Sequence, residues 1–157
     1  MLFTGCATLS PSPQEKVGKF AHDKNAPISV YRIGVQMNRV DGVSVRVLFI
    51  NPSQVTYKYV RMAFSAVNNV SDTVFSEFGD KEPRWVQDTG PFAYGGSAGQ
   101  SPYAGSVFGP LWYNSSITCV NLEELQLVDM NNAVQTFKGE QLKALVPGGW
   151  LKSCGPI

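Results

Sequence analysis

Residues 42–68, GVSVRVLFINPSQVTYKYVRMAFSAVN, decide the fold of this chain. Apolar side chains occupy alternate positions over 43–49 and again over 60–66. A period of two over that many positions predicts two strands, each with one face on a core. Asn51-Pro52-Ser53 separates them, and because proline has no N–H to donate to a ladder, it predicts a turn. We therefore expect two strands that fold against each other at the centre of the molecule.

Further short strands are expected on both sides of this stretch. Residues 28–37 alternate with one slip, which predicts a strand with a bulge. Asp41-Gly42 follows and predicts a hairpin into the next strand, since such a pair tolerates positive φ. Later strands are expected as an edge strand around Trp85-Val86 and at 107–113, 117–120, 122–130 and 134–137. Residues 142–146 are apolar at helical spacing before Pro147-Gly148-Gly149, which predicts one or two helical turns. So many short strands are typical of an antiparallel sandwich or barrel.

Length and charge exclude several classes of function. The chain has 157 residues, which suits one domain. Its 13 basic and 12 acidic residues give a net charge of +1, so the basic footprint needed for nucleic acid is missing. No metal site or cofactor is expected, because the sequence has no Cys-x-x-Cys pair and the acidic run between Asp72 and Glu82 lacks the spacing of a calcium loop.

The first six residues resemble the end of a bacterial lipoprotein signal. Small residues Thr4 and Gly5 precede Cys6, which in such a lipobox carries the lipid. The apolar run before it is only Leu2 and Phe3, shorter than the roughly 7–15 residues of a signal. A missing upstream segment, a misassigned start and a chance match remain open, and a buried or free structural cysteine is the alternative. The resemblance implies anchoring to a bacterial outer membrane, on its periplasmic or surface-facing side.

Three segments are expected along the chain: a signal remnant at 1–6, a flexible tether at 7–27 and a β-sandwich domain at 28–157. Serine, proline and small residues without periodicity favour the tether. The tether holds the only histidine, His22. Since a Ser-His-acid arrangement needs its base held rigidly, we interpret His22 as a solvated linker residue.

Two cysteines remain once Cys6 is set aside, Cys119 and Cys154. A bridge between them would close a long loop and pin the C-terminal segment to the sheet, with a stabilisation of about 3.5–4 kcal/mol. Such a pair fits an oxidising periplasm or cell surface. Two unpaired thiols are the alternative.

Residues 90–110 are expected to form a long glycine-rich loop that carries aromatic side chains. Aromatic rings on such a backbone can stack on sugars or fill a partner's pocket. The candidate partner-binding residues are Trp85, Phe92, Tyr94, Tyr103 and Phe108. Alternatively, these rings simply pack over the open end of the sandwich.

A family resemblance joins these elements. Asn51-Pro52-Ser53, residues 57–68, Gly90-Pro91 and residues 112–117 together resemble the immunoglobulin-like domains of bacterial exported proteins related to the FxLYD type. The resemblance covers roughly residues 42–137 and implies an all-β, immunoglobulin-like antiparallel β-sandwich. It also implies a non-catalytic interaction or spacer module.

The expected function is therefore not enzymatic. We expect a lipid-anchored envelope protein that serves as a protein-binding or structural module, such as one subunit of a larger envelope or secretion assembly. Its partners would be envelope proteins, with the membrane reached through the lipid on Cys6, and an exposed edge strand would suit assembly by strand addition. The alternative is a glycan-binding or enzyme-inhibitor module that uses the aromatic loop 90–110.

Overall fold

The structure, a computed structural model, describes residues 13–75, 83–93, 103–149 and 151–154. Its elements follow in chain order: α1 (Pro13–Asp23), β1 (Ser29–Met37), β2 (Gly42–Ile50), β3 (Tyr57–Val67), β4 (Arg84–Phe92), β5 (Tyr103–Tyr113), β6 (Cys119–Asp129), β7 (Val134–Lys138), α2 (Gly139–Lys143) and β8 (Lys152–Cys154). A short 3-10 turn, Pro147–Gly149, lies between α2 and β8.

The strands form two antiparallel sheets. Sheet A has the order β1-β2-β5, and sheet B has the order β4-β3-β6, with β7 and β8 paired to the two halves of the free edge of β6. In immunoglobulin constant domains the fourth strand belongs to the sheet of the first two. Here β4 pairs with β3 instead. The predicted immunoglobulin-like sandwich is confirmed, with its fourth strand on the opposite sheet.

The core lies between the sheets and is filled by the alternating residues of the central stretch. These side chains are completely buried: Val43, Val45, Val47 and Phe49 from β2, and Val60, Met62, Phe64 and Ala66 from β3. Full burial of a large apolar side chain contributes about 1.5–3 kcal/mol. The two predicted strands do not pair with each other. They lie in different sheets and pack face to face, which is why both present their apolar side chains to the same core.

The predicted hairpin between β1 and β2 is confirmed, and so is the bulge in β1. Met37 pairs with Val43, and the register shifts between Val30 and Arg32. The loop runs over residues 38–41, so it is longer than a two-residue turn. Asn38 Oδ1 stabilises it by accepting hydrogen bonds from the N–H groups of Val40 and Gly42, both at 2.9 Å. Asp41 takes the left-handed conformation with φ 59°.

The turn between β2 and β3 is fixed by Asn51, a buried polar residue only 1% exposed. Its Nδ2 group donates to the carbonyl oxygens of Val55 at 2.9 Å and Phe92 at 2.7 Å. Its Oδ1 atom accepts from the N–H of Ser53 at 3.0 Å and from the Ser53 hydroxyl at 2.8 Å. The turn is thereby attached to the end of β4, and the side-chain amide of Asn51 has partners at both ends.

The tyrosine that opens β3 lies just beyond this turn. Tyr57 is 3% exposed. Burial raises its pKa above the ordinary value, the Asp129 carboxylate adds to the rise, and a hydrogen bond with Ser53 partly opposes it. The folded state therefore favours the neutral phenol.

The predicted tether is folded over its C-terminal part. Residues 13–23 form α1, and Ala21 and Ala26 are 0% and 5% exposed. The helix contacts β1 and the 3-10 turn. The helix was hard to predict because α1 buries a small alanine and lacks a strong stripe of large apolar residues. The flexible tether over 7–27 is corrected to this extent, while residues 7–12 lie outside the described part of the chain.

The predicted loop 90–110 is largely strand. β4 runs through Gly90-Pro91 to Phe92, and β5 starts at Tyr103, before the expected start at 107. Glycines concealed β5, since they interrupt the apolar alternation. A Cβ atom at Gly105 would lie 2.5 Å from Leu48 Cδ2, so this glycine makes room for a side chain of the neighbouring strand. Residues 94–102 of the expected loop lie outside the described part of the chain.

The C-terminal segment packs on the sandwich, and the predicted short helix is confirmed as α2, which ends at Lys143, before the expected end at 146. Leu142, Leu145 and Val146, from α2 and the residues after it, are at most 5% exposed and join the core. The disulfide Cys119–Cys154 is present, and its two residues face each other in the register of β6 and β8. A covalent link thus holds the end of the described chain to sheet B.

Candidate functional site

The predicted aromatic binding residues lie in different places. Trp85 is on the outer face of sheet B and is 46% exposed. Phe92 and Phe108 are half-buried against the core, and the Phe92 ring meets a phenylalanine ring of β2 edge-on, with centroids 5.2 Å apart. Tyr94 and the side chain of Tyr103 lie outside the described part of the chain. Trp85 alone among the described members presents a large ring to solvent.

The predicted lipid-bearing Cys6 lies outside the described residues. Cys119 and Cys154 form their disulfide at the end of the sandwich where β1 and β3 finish and β6 begins. The bridge therefore stands beside the loops of that end.

A cluster of exposed apolar side chains occupies this end of the sandwich, and we call it the apolar end. Its members are 40% to 70% exposed: Met37, Val40, Val70, Phe75 and Tyr113. They come from the end of β1 and its loop, the segment after β3 and the end of β5. Exposed apolar side chains grouped at one end of a domain make that end a candidate interaction surface.

Hydrogen bonds hold the segments of the apolar end together. The N–H of Asn114 donates to the carbonyl of Asp41 at 3.1 Å, and the Asn114 side chain donates to the carbonyl of Phe75 at 3.3 Å. Asn114 Oδ1 also accepts from the N–H and hydroxyl of Ser116, at 2.9 and 2.7 Å. One polar residue thus ties the β1–β2 loop, the segment after β3 and the β5–β6 turn into one surface.

Two loops of the apolar end share one design. In each, an asparagine opens the loop and its Oδ1 accepts from the N–H groups two and four residues later, as Asn38 does and as Asn68 does at 3.1 and 2.9 Å. The residue two places after each asparagine is a valine whose N–H points into the turn. The side chains of Val40 and Val70 are 70% and 69% exposed. The turns therefore order the backbone that carries the two exposed valines.

A groove of about 1010 Å³ opens next to the apolar end. Its walls come from β1, the loop after β3 and the start of β6, and include Val35, Met37, Asn69, Ile117 and the disulfide Cys119–Cys154. Most of this lining is apolar. The groove extends the apolar end into a concave surface that could hold a partner's side chains.

The charges around the apolar end are balanced. Arg39 and Lys152 are exposed beside Asp41 and Asp72, and the Lys152 ammonium donates to the Ser71 hydroxyl at 2.7 Å. Strong attraction to an anionic bilayer or to nucleic acid needs clustered positive charge. An apolar centre with a rim of mixed charge instead matches the anatomy of protein interfaces.

A second surface feature lies on the outer face of sheet B, and we call it the Arg61 depression. It is a hollow of about 340 Å³ lined by Arg61, Trp85, Gln87 and Gln126. The register places Gln87 and Gln126 on either side of Arg61, one on β4 and one on β6. Neighbouring strands thus bring together a guanidinium, two amides and an indole that are far apart in sequence.

An ion pair borders the Arg61 depression. Lys138 Nζ lies 2.7 Å from Glu124 Oε2. Although burial acts to raise it, the hydrogen bonds from Lys138 and Gln126 and the Lys138 charge hold the pKa of Glu124 below its usual value. Glu124 is therefore ionised and already neutralised within sheet B.

Chemistry-bearing groups elsewhere are few in the described part of the chain. The Ser106 hydroxyl donates to the Asp88 carboxylate and ties β5 to β4. His22 is exposed at the end of α1, with its Nδ1 atom 3.9 Å from Asp23. Among described residues there is no group of three or more His, Cys, Asp or Glu side chains that could hold a metal. None of the described helices is long and apolar enough to cross a bilayer.

The sequence did carry a signal for the apolar end. A valine in the middle of a polar turn, as in Asn38-Arg39-Val40 and Asn68-Asn69-Val70, has no apolar neighbour to pack with locally. The Arg61 depression had no comparable signal, because it depends on strand register.

Comparison with known proteins adds little. No protein-family model matches the chain, and no curated protein matches it. A search of solved structures found a similarity to the crystal structure of wild-type OgpA from Akkermansia muciniphila, with 10% sequence identity and a TM-score of 0.35. The match covers 73% of this chain and 29% of the OgpA chain. This chain is similar over part of its length to less than a third of that protein.

Proposed function

We propose that this chain is a non-enzymatic protein-binding module of a bacterial cell envelope. The observation that carries the proposal is the apolar end, where turns hold exposed valines in place beside an apolar groove. Burial of such a surface against a partner's apolar side chains lowers the free energy of the complex, because apolar area is removed from water. Its balanced rim favours a protein partner over an anionic surface.

The proposed compartment rests on two further points. The disulfide Cys119–Cys154 is of the kind that persists in oxidising surroundings outside the cytosol. The lipobox-like residues before Cys6 suggest a lipid anchor that would hold the module at the outer membrane. Mass spectrometry of the mature protein from its native envelope tests this anchor, because a lipid on Cys6 adds a mass that Cys6→Ser removes.

Site-specific crosslinking tests the protein contact. A photo-crosslinking amino acid at position 70 in the full-length protein should capture a defined envelope protein in living cells. The same amino acid at position 107, on the outer side of β5, is the control, because Val107 is also exposed, at 56%, but lies outside the apolar end.

Affinity measurements with the captured protein complete the test. Val40→Ser with Val70→Ser should weaken binding by about 10-fold or more, since full burial of one valine contributes about 1.5 kcal/mol or more and a tenfold change in affinity corresponds to about 1.4 kcal/mol. The matched pair Val107→Ser with Val134→Ser should leave binding unchanged. Both double variants should melt close to the wild type, because surface substitutions are usually within about 0.5 kcal/mol. Equal weakening by both pairs, or by neither, would refute the apolar end as the contact surface.

A further inference from the structure

The amides of the Arg61 depression are oriented by neighbouring side chains. Arg61 donates from Nε to Gln87 Oε1 at 2.8 Å, and Gln126 donates from Nε2 to Glu124 Oε1 at 2.9 Å. One end of each amide is therefore engaged within the sheet. Gln87 retains its NH₂ group as a donor, and Gln126 retains its carbonyl oxygen as an acceptor. A ligand would meet one donor and one acceptor, as a hydroxyl-bearing molecule requires.

The Arg61 charge is not neutralised within the described residues. Among them, no carboxylate forms an ion pair with Arg61, and the nearby Glu124 is paired with Lys138. The guanidinium carbon lies 5.7 Å from the centre of the Tyr59 ring, which supports the guanidinium from one side. With Nε engaged by Gln87, the two terminal nitrogens remain for a carboxylate, which arginine binds in a bidentate manner.

Trp85 supplies the apolar side of the same hollow. Its indole is 46% exposed and lies opposite Ala63, which is fully buried although it alternates to the outer face. A small residue at that position lets larger side chains close over it. An indole held at the edge of a hollow offers a flat apolar surface on which the C–H face of a ring can stack.

We propose that the Arg61 depression binds a sugar ring that carries a carboxylate, such as a uronic or sialic acid unit of a polysaccharide. The indole would stack on the ring, Arg61 would hold the carboxylate, and the two amides would bind hydroxyls. The volume of about 340 Å³ is at the small end of the range for small-molecule sites, roughly 300–1,000 Å³, so it suits one or two sugar units. The inference is independent of the apolar end, which is a different surface.

The test is binding of the intact chain to an array of uronate-containing and sialylated oligosaccharides, each beside its carboxyl-reduced counterpart. The acidic oligosaccharide that binds most tightly on the array is then titrated into the protein by calorimetry. Arg61→Gln should weaken its binding by about 10- to 100-fold, because charge-assisted hydrogen bonds are lost. The same substitution should not change binding of the carboxyl-reduced form. Trp85→Ala should weaken both forms, and Trp85→Phe should recover part of the loss.

Controls separate the site from folding and from general charge. Arg46→Gln removes an arginine from the outer face of sheet A and should leave binding unchanged. All variants are checked for an unaltered melting temperature. Ligand should alter the tryptophan fluorescence, and Trp85→Phe should remove that change, since the other described tryptophan, Trp112, is 0% exposed. The proposal is wrong if no acidic saccharide on the array binds, if binding is insensitive to Trp85→Ala, or if a glutamate-rich peptide binds as well as the saccharide.

Discussion

Asn51 provides the sharpest test of how this sandwich is held together. The change is Asn51→Ala, and Asn114→Ala is its matched control, because both residues open an Asn-x-Ser turn and both accept from the N–H and hydroxyl of that serine. The difference between them is burial and reach. Asn51 is 1% exposed and donates to two carbonyl groups, one of them on β4.

The expected magnitude follows from the bonds lost. Four hydrogen bonds at about 1 kcal/mol net each give a loss of about 4 kcal/mol for Asn51→Ala. The groups bonded to Asn114 are exposed and can turn to water, so that loss should be about 1 kcal/mol. At about 2–4 °C per kcal/mol for a domain of this size, melting should fall by about 8–16 °C for Asn51→Ala and about 2–4 °C for Asn114→Ala.

Denaturant unfolding of the purified domain, followed by circular dichroism, gives both free energies. Asn51→Asp adds a second measurement on the same residue. The introduced carboxylate would face the carbonyl oxygens of Val55 and Phe92 without a proton to donate, so its pKa in the folded state should be raised. Relative to the wild type at the same pH, the variant should therefore be least destabilised below the unfolded pKa of about 3.9, and its deficit should grow as the pH rises through the folded pKa. A cost for Asn51→Ala within 1 kcal/mol of that for Asn114→Ala would refute the bridging role.

Three further predictions concern other parts of the fold. Replacing Cys119 and Cys154 together by serine should cost about 4 kcal/mol by denaturant unfolding, the chain-entropy value for a loop of 35 residues, and an unchanged midpoint would contradict it. Because the pKa of Tyr57 is raised, its contribution to stability is intact below the unfolded pKa of about 10 and is lost as the pH rises through the folded value. Tyr57→Phe should thus flatten the alkaline fall in stability, and an equally steep fall would count against burial of this phenol. Ala21→Glu should lower the free energy of unfolding by about 1–3 kcal/mol, since Ala21 is fully buried. Lys19→Glu, on the exposed side of α1, should leave it unchanged. Equal effects of the two substitutions would mean that α1 does not pack on the sandwich.

Much of the sandwich could be predicted because its strands are amphipathic. The period of two over 43–49 and 60–66 can be recognised without knowing which strands are paired, since alternation depends only on which face of each strand is exposed to solvent. The C-terminal turns and the cysteine pair were also visible, because each depends on local chemistry. The predictions that were wrong concern segments whose buried or closely packed residues are small. Ala21 docks a helix and Gly105 admits a side chain from β2, and neither leaves an apolar pattern in the sequence.

The candidate sites were less predictable for a different reason. Arg61, Gln87 and Gln126 become neighbours only through the pairing of β3 with β4 and β6, and a shift of one residue would turn each to the other face. The sequence singled out Trp85 because it is aromatic, and the edge strand predicted around Trp85-Val86 is confirmed as part of β4. What the sequence did not show is which groups lie beside the indole, because the register of β4 on β3 decides that.

The C-terminal segment bears on how the proposed module would contact a partner. A free strand edge would invite pairing with another chain, but Leu145 accepts from the N–H of Val30, the Ser153 hydroxyl donates to the Ile33 carbonyl, and β8 pairs with the start of β6. Part of the edge of β1 and the first half of the edge of β6 are thus occupied by the chain's own backbone and side chains. The disulfide keeps β8 there. Strand addition is therefore hindered beside the groove, and a partner of the proposed module would instead meet side chains at this end: the two exposed valines of the asparagine turns and the apolar groove wall.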